Sequence, residues 1–148
     1  MAIRFRLVLC GALVCMGGDI LADDKESDQA RMEGAWEVVE LVQDGTPVPK
    51  EVFATWRVKF AGNRLTIVES QGSHAVVFKL DPSSRPKGMD STPLDGPQKG
   101  KTLRGIYDVQ GDSVKVCLPR EEGAKRPTEF VSGKGSDLGL LMLKRASK

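Results

Sequence analysis

The stretch Trp56-Arg57-Val58-Lys59-Phe60-Ala61-Gly62-Asn63-Arg64-Leu65-Thr66-Ile67-Val68 decides the fold class. Trp56, Val58 and Phe60 alternate with Arg57 and Lys59, the period of a strand with one apolar face. Gly62-Asn63 tolerates positive φ and reads as a hairpin turn, after which Leu65 to Val68 returns antiparallel. The chain is therefore read as β structure built from short hairpin-connected strands.

The same pattern extends in both directions. Towards the N-terminus, Gly34 to Val42 is rich in valine and stops at Asp44-Gly45-Thr46-Pro47. Strict alternation would put Glu40 on the face of Trp36 and Val38, so a bulge or a polar interior position is expected. Pro49 to Thr55 suits a short helix, and Ser27 to Glu33 a single helical turn capped by Ser27. Towards the C-terminus, Gln71-Gly72-Ser73 turns the chain into a strand over Ala75 to Leu80. Asp81 to Lys101 carries Pro82, Pro86, Pro93 and Pro97. Proline lacks the amide hydrogen a ladder needs, so this segment reads as a long loop, ordered as a lid by Met89 and Leu94, with no central strand. Strands follow over Thr102 to Val109, Val114 to Leu118, Thr128 to Val131 and Leu138 to Leu143.

Most of these eight segments have one apolar face, and such a face must be covered. Two helices of a few residues cannot cover an eight-stranded sheet, whereas closure of the sheet on itself covers it and removes the edges. The fold class expected is all-β: an eight-stranded antiparallel up-and-down barrel with one or two short helices. A barrel of that size is just wide enough for side chains or one small ligand. The inward set (Trp36, Val38, Trp56, Val58, Phe60, Leu65, Ile67, Val76, Phe78, Leu80, Val114, Val116, Leu118, Phe130) leaves a filled barrel and a ligand cup both open.

At 148 residues the chain is one domain. Arg4 and Arg6, the apolar run Leu7 to Met16 and the small residue Ala22 read as a signal peptide over residues 1–22, too short to span a membrane. Residues 23–31 read as a polar spacer and 32–146 as the barrel domain. The protein is thus expected to be exported: periplasmic, held in the cell envelope, or secreted. Removing Arg4, Arg6 and Asp19 leaves 20 basic and 19 acidic side chains, a balance that gives no support to nucleic-acid binding. Cys10 and Cys15 leave with the leader, so Cys117 is a lone thiol. Alternation puts it with Ser113 and Lys115, opposite the apolar face of its strand.

Gly34-Ala35-Trp36 on the first strand resembles the Gly-x-Trp signature of lipocalins. From Met32 to Arg145 the chain further resembles a small exported lipocalin-like domain family of planctomycete bacteria. The resemblance is carried by Phe78-Lys79-Leu80-Asp81-Pro82, Thr92-Pro93-Leu94-Asp95-Gly96, Gly105-Ile106-Tyr107, Gly111-Asp112, Cys117 and Arg126-Pro127-Thr128-Glu129-Phe130. It implies the barrel fold, with Trp36 closing the base against a basic residue of the last strand, Arg145 or Lys144. It carries no activity.

No residue is assigned a catalytic role, and no metal or cofactor is expected. Asp81, Asp90, Asp95 and Asp108 lack calcium-loop spacing, a single histidine, His74, cannot assemble a zinc site, and Gly100-Lys101-Thr102 lacks the glycines of a phosphate loop. Candidate ligand contacts are Tyr107, Arg126, Asp90 and Phe78. Tyr107 offers an inward hydroxyl, or is a core tyrosine with that hydroxyl satisfied. Arg126 forks either onto an anionic ligand group or onto Asp81, Asp90 or Asp95, pinning the two loops together. The expected function is non-enzymatic binding of a small apolar ligand at the barrel mouth. The alternative is a filled barrel whose loops contact an envelope protein or a polymer. Oligomeric state is not legible.

Overall fold

The structure, a computed structural model, describes residues 26–147. The expected signal peptide lies outside the described residues. Helix α1 (Asp28–Met32) leads into β1 (Gly34–Gln43), followed by the two-residue β2 (Thr46–Pro47) and helix α2 (Lys50–Phe53). Strands β3 (Arg57–Ala61), β4 (Arg64–Glu69), β5 (Gly72–Asp81), β6 (Gly88–Pro93), β7 (Leu103–Gln110), β8 (Ser113–Pro119) and β9 (Leu138–Arg145) complete the chain. β1 and β3 to β9 pair antiparallel in sequence order, and β9 pairs back onto β1, which closes an eight-stranded barrel. β2 only folds back along the last two residues of β1, pairing Thr46 and Pro47 with Gln43 and Val42.

The irregularity at Glu40 is a bulge. Val38 pairs with Leu143 and Glu40 with Met142, so Val39 is the extra residue on β1. It turns Glu40 to solvent and returns Leu41, opposite Leu141, to the interior.

One strand differs from expectation, and the difference corrects the reading of Asp81 to Lys101 as a single lid. Gly88 to Pro93 forms β6, a central strand between β5 and β7. The prolines do not prevent it because of where they fall. Pro82 and Pro86 lie in the preceding connection, Pro97 in the following one, and Pro93 is the last residue of the strand, beyond the pairs that β6 makes with β7. The ladder interior contains no proline, and Met89 and Ser91 are buried along it. Conversely, Thr128 to Val131 is not a strand. Residues 120–137 cross the outside of the wall without regular pairing, and Phe130 is only half-buried and outside the core. The number of strands is as expected, but one member is exchanged.

The lower barrel is filled. Phe60 packs edge-on against Trp36 and Phe78, with ring centroids 6.4 and 5.7 Å away. Val58, Met89, Tyr107, Val109, Val114 and Leu143 complete this layer, all nearly inaccessible to solvent. Burying each such side chain contributes about 1.5–3 kcal/mol to offset chain ordering. Val76, expected among them, is only half-buried.

Candidate functional site

The two ends of the barrel are built differently. At the end holding the β3–β4, β5–β6 and β7–β8 turns, α1 acts as a plug. Ser27 Oγ accepts the Ala30 N–H at 3.1 Å and caps the helix. This places Asp28 over the barrel end, so residues expected to belong to a spacer are docked structure. Asp28 Oδ2 accepts the Tyr107 hydroxyl at 2.7 Å and Lys87 Nζ at 2.8 Å. Burial opposes ionisation of Asp28, but the Lys87 and Tyr107 hydrogen bonds outweigh it and hold the carboxyl below its ordinary range. Burial and the Asp28 carboxylate push the Tyr107 phenol well above its ordinary value. A cavity of about 470 Å³ flanks the plug beside Asp28, Glu33, Leu80 and Tyr107. Tyr107 nevertheless donates its hydroxyl proton to Asp28, so its polar end is engaged in closure.

Trp36 completes the plug. Its indole N–H donates to the Met32 carbonyl at 2.7 Å, and the Arg145 guanidinium lies 4.3 Å from its ring.

Arg126 and Asp90 meet on the outside of the wall. Arg126 Nη2 lies 2.8 Å from Asp90 Oδ1, a charge contact without the alignment of a hydrogen bond, while Nη1 donates to the Gly105 carbonyl at 2.7 Å. Gly88 leaves room for this: a Cβ there would stand 2.9 Å from Arg126 Nη1. The pair ties the 120–137 segment to β6 and β7. Cys117 is sealed beneath the same segment, its thiol 3.8 Å from the Val131 carbonyl, and burial pushes its pKa up. The four candidate contacts therefore do not converge. Tyr107 and Phe78 are buried on the inside, and Asp90 and Arg126 pair on the outside.

The other end is open. Leu41, Leu103, Val116, Leu118 and Leu141 line a pocket of about 270 Å³, with Gln98, Pro119, Arg120 and Gly139 completing it. Leu41, Leu118 and Leu141 rest on the filled core but stay half-exposed. The 94–102 connection stands at this mouth. It is tied to β5 by Asp95, which accepts the Ala75 N–H at 2.9 Å and contacts His74 Nδ1 at 2.8 Å. The Asp95 bond, with the nearby Glu69, raises the His74 pKa.

Among the described residues, no three metal-ligating side chains converge. No described helix is long and apolar enough to cross a membrane. Comparison with family models, with curated proteins and with solved structures finds no match to this chain.

Gln98 and Arg120 were missed because they lie in connections, where no periodicity assigns a facing. Leu41 was missed because the bulge hides its phase. Leu103 was missed too, although its alternation with Gly105, Tyr107 and Val109 along β7 is a signal that could have placed it inward.

Proposed function

We propose that the chain is an exported, lipocalin-like protein that binds one small, largely apolar molecule at the open end of its barrel. The reading rests on the aliphatic mouth formed by Leu41, Leu103, Val116, Leu118 and Leu141 above a filled core. At about 270 Å³ it falls just below the roughly 300 Å³ at which drug-sized sites begin, which suits a small ligand. The lining holds no carboxylate, imidazole, thiol or hydroxyl, so the chemistry it supports is binding rather than catalysis. The leader-like residues 1–22 supply the export part of the proposal, and the resemblance to the planctomycete domain family its lipocalin-like character.

Native mass spectrometry of the protein purified from its own envelope tests the reading. A co-purifying small molecule, lost from Leu118→Trp with the fold intact, is the expected result. A protein or polymer partner, with no bound small molecule in either form, would favour the loop-mediated interaction module instead.

A further inference from the structure

The outer wall of the barrel carries a second groove, different in chemistry from the aliphatic mouth. Asn63, Val77, Lys79, Asp90, Thr92 and Thr102 line a cavity of about 340 Å³ across β5 and β6. Two adjacent rungs of the sheet build it. Arg64, Val77 and Thr92 are partners across β4, β5 and β6, and Lys79, Asp90 and Arg104 across β5, β6 and β7. Phe78 is buried inside the barrel, so alternation turns Val77 and Lys79 outwards. Val77 is a half-buried floor, while Asn63, Lys79 and Thr102 are exposed. The Thr92 and Thr102 hydroxyls stand 3.2 Å apart, so one ligand can meet both. Arg64, Lys79 and Arg104 are exposed, and none of them makes an ion pair among the described residues. The neighbouring acids are already engaged. Asp90 Oδ1 faces Arg126 Nη2 at 2.8 Å, Asp81 accepts the Ser83 N–H at 3.1 Å, and Glu122 accepts the Thr102 N–H at 2.9 Å. Asp90 Oδ1 is sealed, yet the side chain is 38% exposed, so Oδ2 is its accessible oxygen.

We propose that this groove is a docking site for an acidic polysaccharide, taking one sugar unit with its ring over Val77 and its carboxylate among the flanking cations Arg64, Lys79 and Arg104. Accessible amide, hydroxyl and carboxylate groups set around a small apolar floor match a ring that carries hydroxyls on its edge and C–H groups on its face. Arg64 and Arg104 supply planar forks that fit a carboxylate, and Lys79 a point charge between their rungs. The positive charge continues to Arg57 and Lys59, which are exposed on β3, so a chain of such units matches the wall better than one free sugar. Nucleic acid is disfavoured because no aromatic ring stands on these two rungs for bases to stack on. A membrane surface is disfavoured because they present no long apolar side chain to insert. The groove shares no lining residue with the mouth and does not depend on the reading proposed for it.

Trigalacturonate and the neutral maltotriose, each titrated into the full chain by calorimetry and amide NMR, test the site. Trigalacturonate is expected to shift the Val77, Lys79 and Thr92 amides, to leave the mouth leucine methyls in place, to bind more tightly than maltotriose and to weaken as salt rises. Arg64→Gln, Lys79→Gln and Arg104→Gln should each weaken it about two- to fivefold, the scale of one exposed charge contact. Thr92→Val leaves every charge in place and should weaken it as well, which a diffuse positive field would not. An amide spectrum unchanged outside the groove certifies the fold of each variant. Undiminished affinity in Thr92→Val, or equal binding of a single-stranded oligonucleotide of the same charge, overturns the saccharide site in favour of general polyanion attraction. Binding to phosphatidylglycerol vesicles that the three glutamine variants lose, with no response to trigalacturonate, overturns it in favour of a membrane surface. Equal binding of trigalacturonate and maltotriose, or no shift at the groove amides with either, overturns it outright.

Discussion

Trp36 and Arg145 are register partners across the β1–β9 seam, and the Arg145 guanidinium covers the Trp36 ring while reaching three further groups. Nη1 and Nη2 donate to the Glu33 and Arg31 carbonyls at 3.1 and 2.8 Å, and Nε to Asp112 at 3.1 Å. One side chain thus joins the last strand, the first strand, the end of α1 and the β7–β8 turn.

Truncating that seam should act on stability before it acts on the mouth. Trp36→Ala is expected to cost about 3–5 kcal/mol, the range for removing a buried aromatic. Arg145→Lys keeps the charge but cannot reach two carbonyls as a planar fork, so a smaller loss of about 1–2 kcal/mol is expected from the weakened cation–π and hydrogen-bond contacts. Urea unfolding measures both. An unchanged midpoint for Trp36→Ala would show that the seam does not depend on this residue.

The α1 plug should loosen in acid. The folded-state pKa of Asp28 is lowered, so its contribution is present above its unfolded value of about 3.9 and is lost as pH falls through the lower folded value. Hydrogen exchange at the Ala30 and Arg31 amides should accelerate below about pH 4, the unfolded carboxylate range, relative to the acid-corrected intrinsic rate. Asp28→Asn should remove that pH dependence and cost about 1–3 kcal/mol at neutral pH, because Lys87 loses its counter-charge. A plug equally protected at pH 3 and pH 7 would contradict the assignment.

Gly105 should not accept a side chain. A Cβ there would meet the Leu118 side chain and stand 2.5 Å from the Cys117 carbonyl oxygen, which belongs to the neighbouring strand and cannot yield. Gly105→Ala should destabilise by about 1–3 kcal/mol as an overpacked core does. Because Leu118 lines the mouth, the variant should also shift its methyl resonances. A melting temperature equal to that of the parent would refute the close approach.

Cys117 should be silent to thiol reagents. It is fully buried and its pKa is raised, so thiolate is scarce and access is blocked. A chromogenic disulfide reagent at pH 8 should label the protein only at the rate of unfolding or after denaturant is added. Prompt stoichiometric labelling of the native chain would show that the 120–137 segment opens readily.

Much of the fold was legible because alternation is a local property. The hairpin at Gly62-Asn63, the capped turn at Ser27, the helix after Pro49 and the irregular phase at Glu40 each depend on residues within one turn or one strand. Closure followed from a general necessity, that one-sided strands must be covered. The exchange of β6 for the supposed strand at Thr128 to Val131 was not legible. Gly88-Met89-Asp90-Ser91-Thr92-Pro93 has little β propensity, and it is a strand because β5 and β7 each offer it a complete ladder edge.

The candidate site divides along the same line. Amino-acid order alone establishes an antiparallel barrel with an apolar inward face, since strand period is a property of short segments, whereas the filled aromatic layer around Phe60 is decided by the tertiary structure. Whether the Tyr107 hydroxyl is free for a ligand or satisfied, here by Asp28, and whether Arg126 meets an anionic ligand group or one of Asp81, Asp90 and Asp95, here Asp90, depends on segments far apart in the chain being brought together. The same holds for the mouth. Leu41 enters it only through the bulge at Val39, and Gln98 only through a turn folded back over the rim, so its composition arises from non-local contacts that no sequence period encodes.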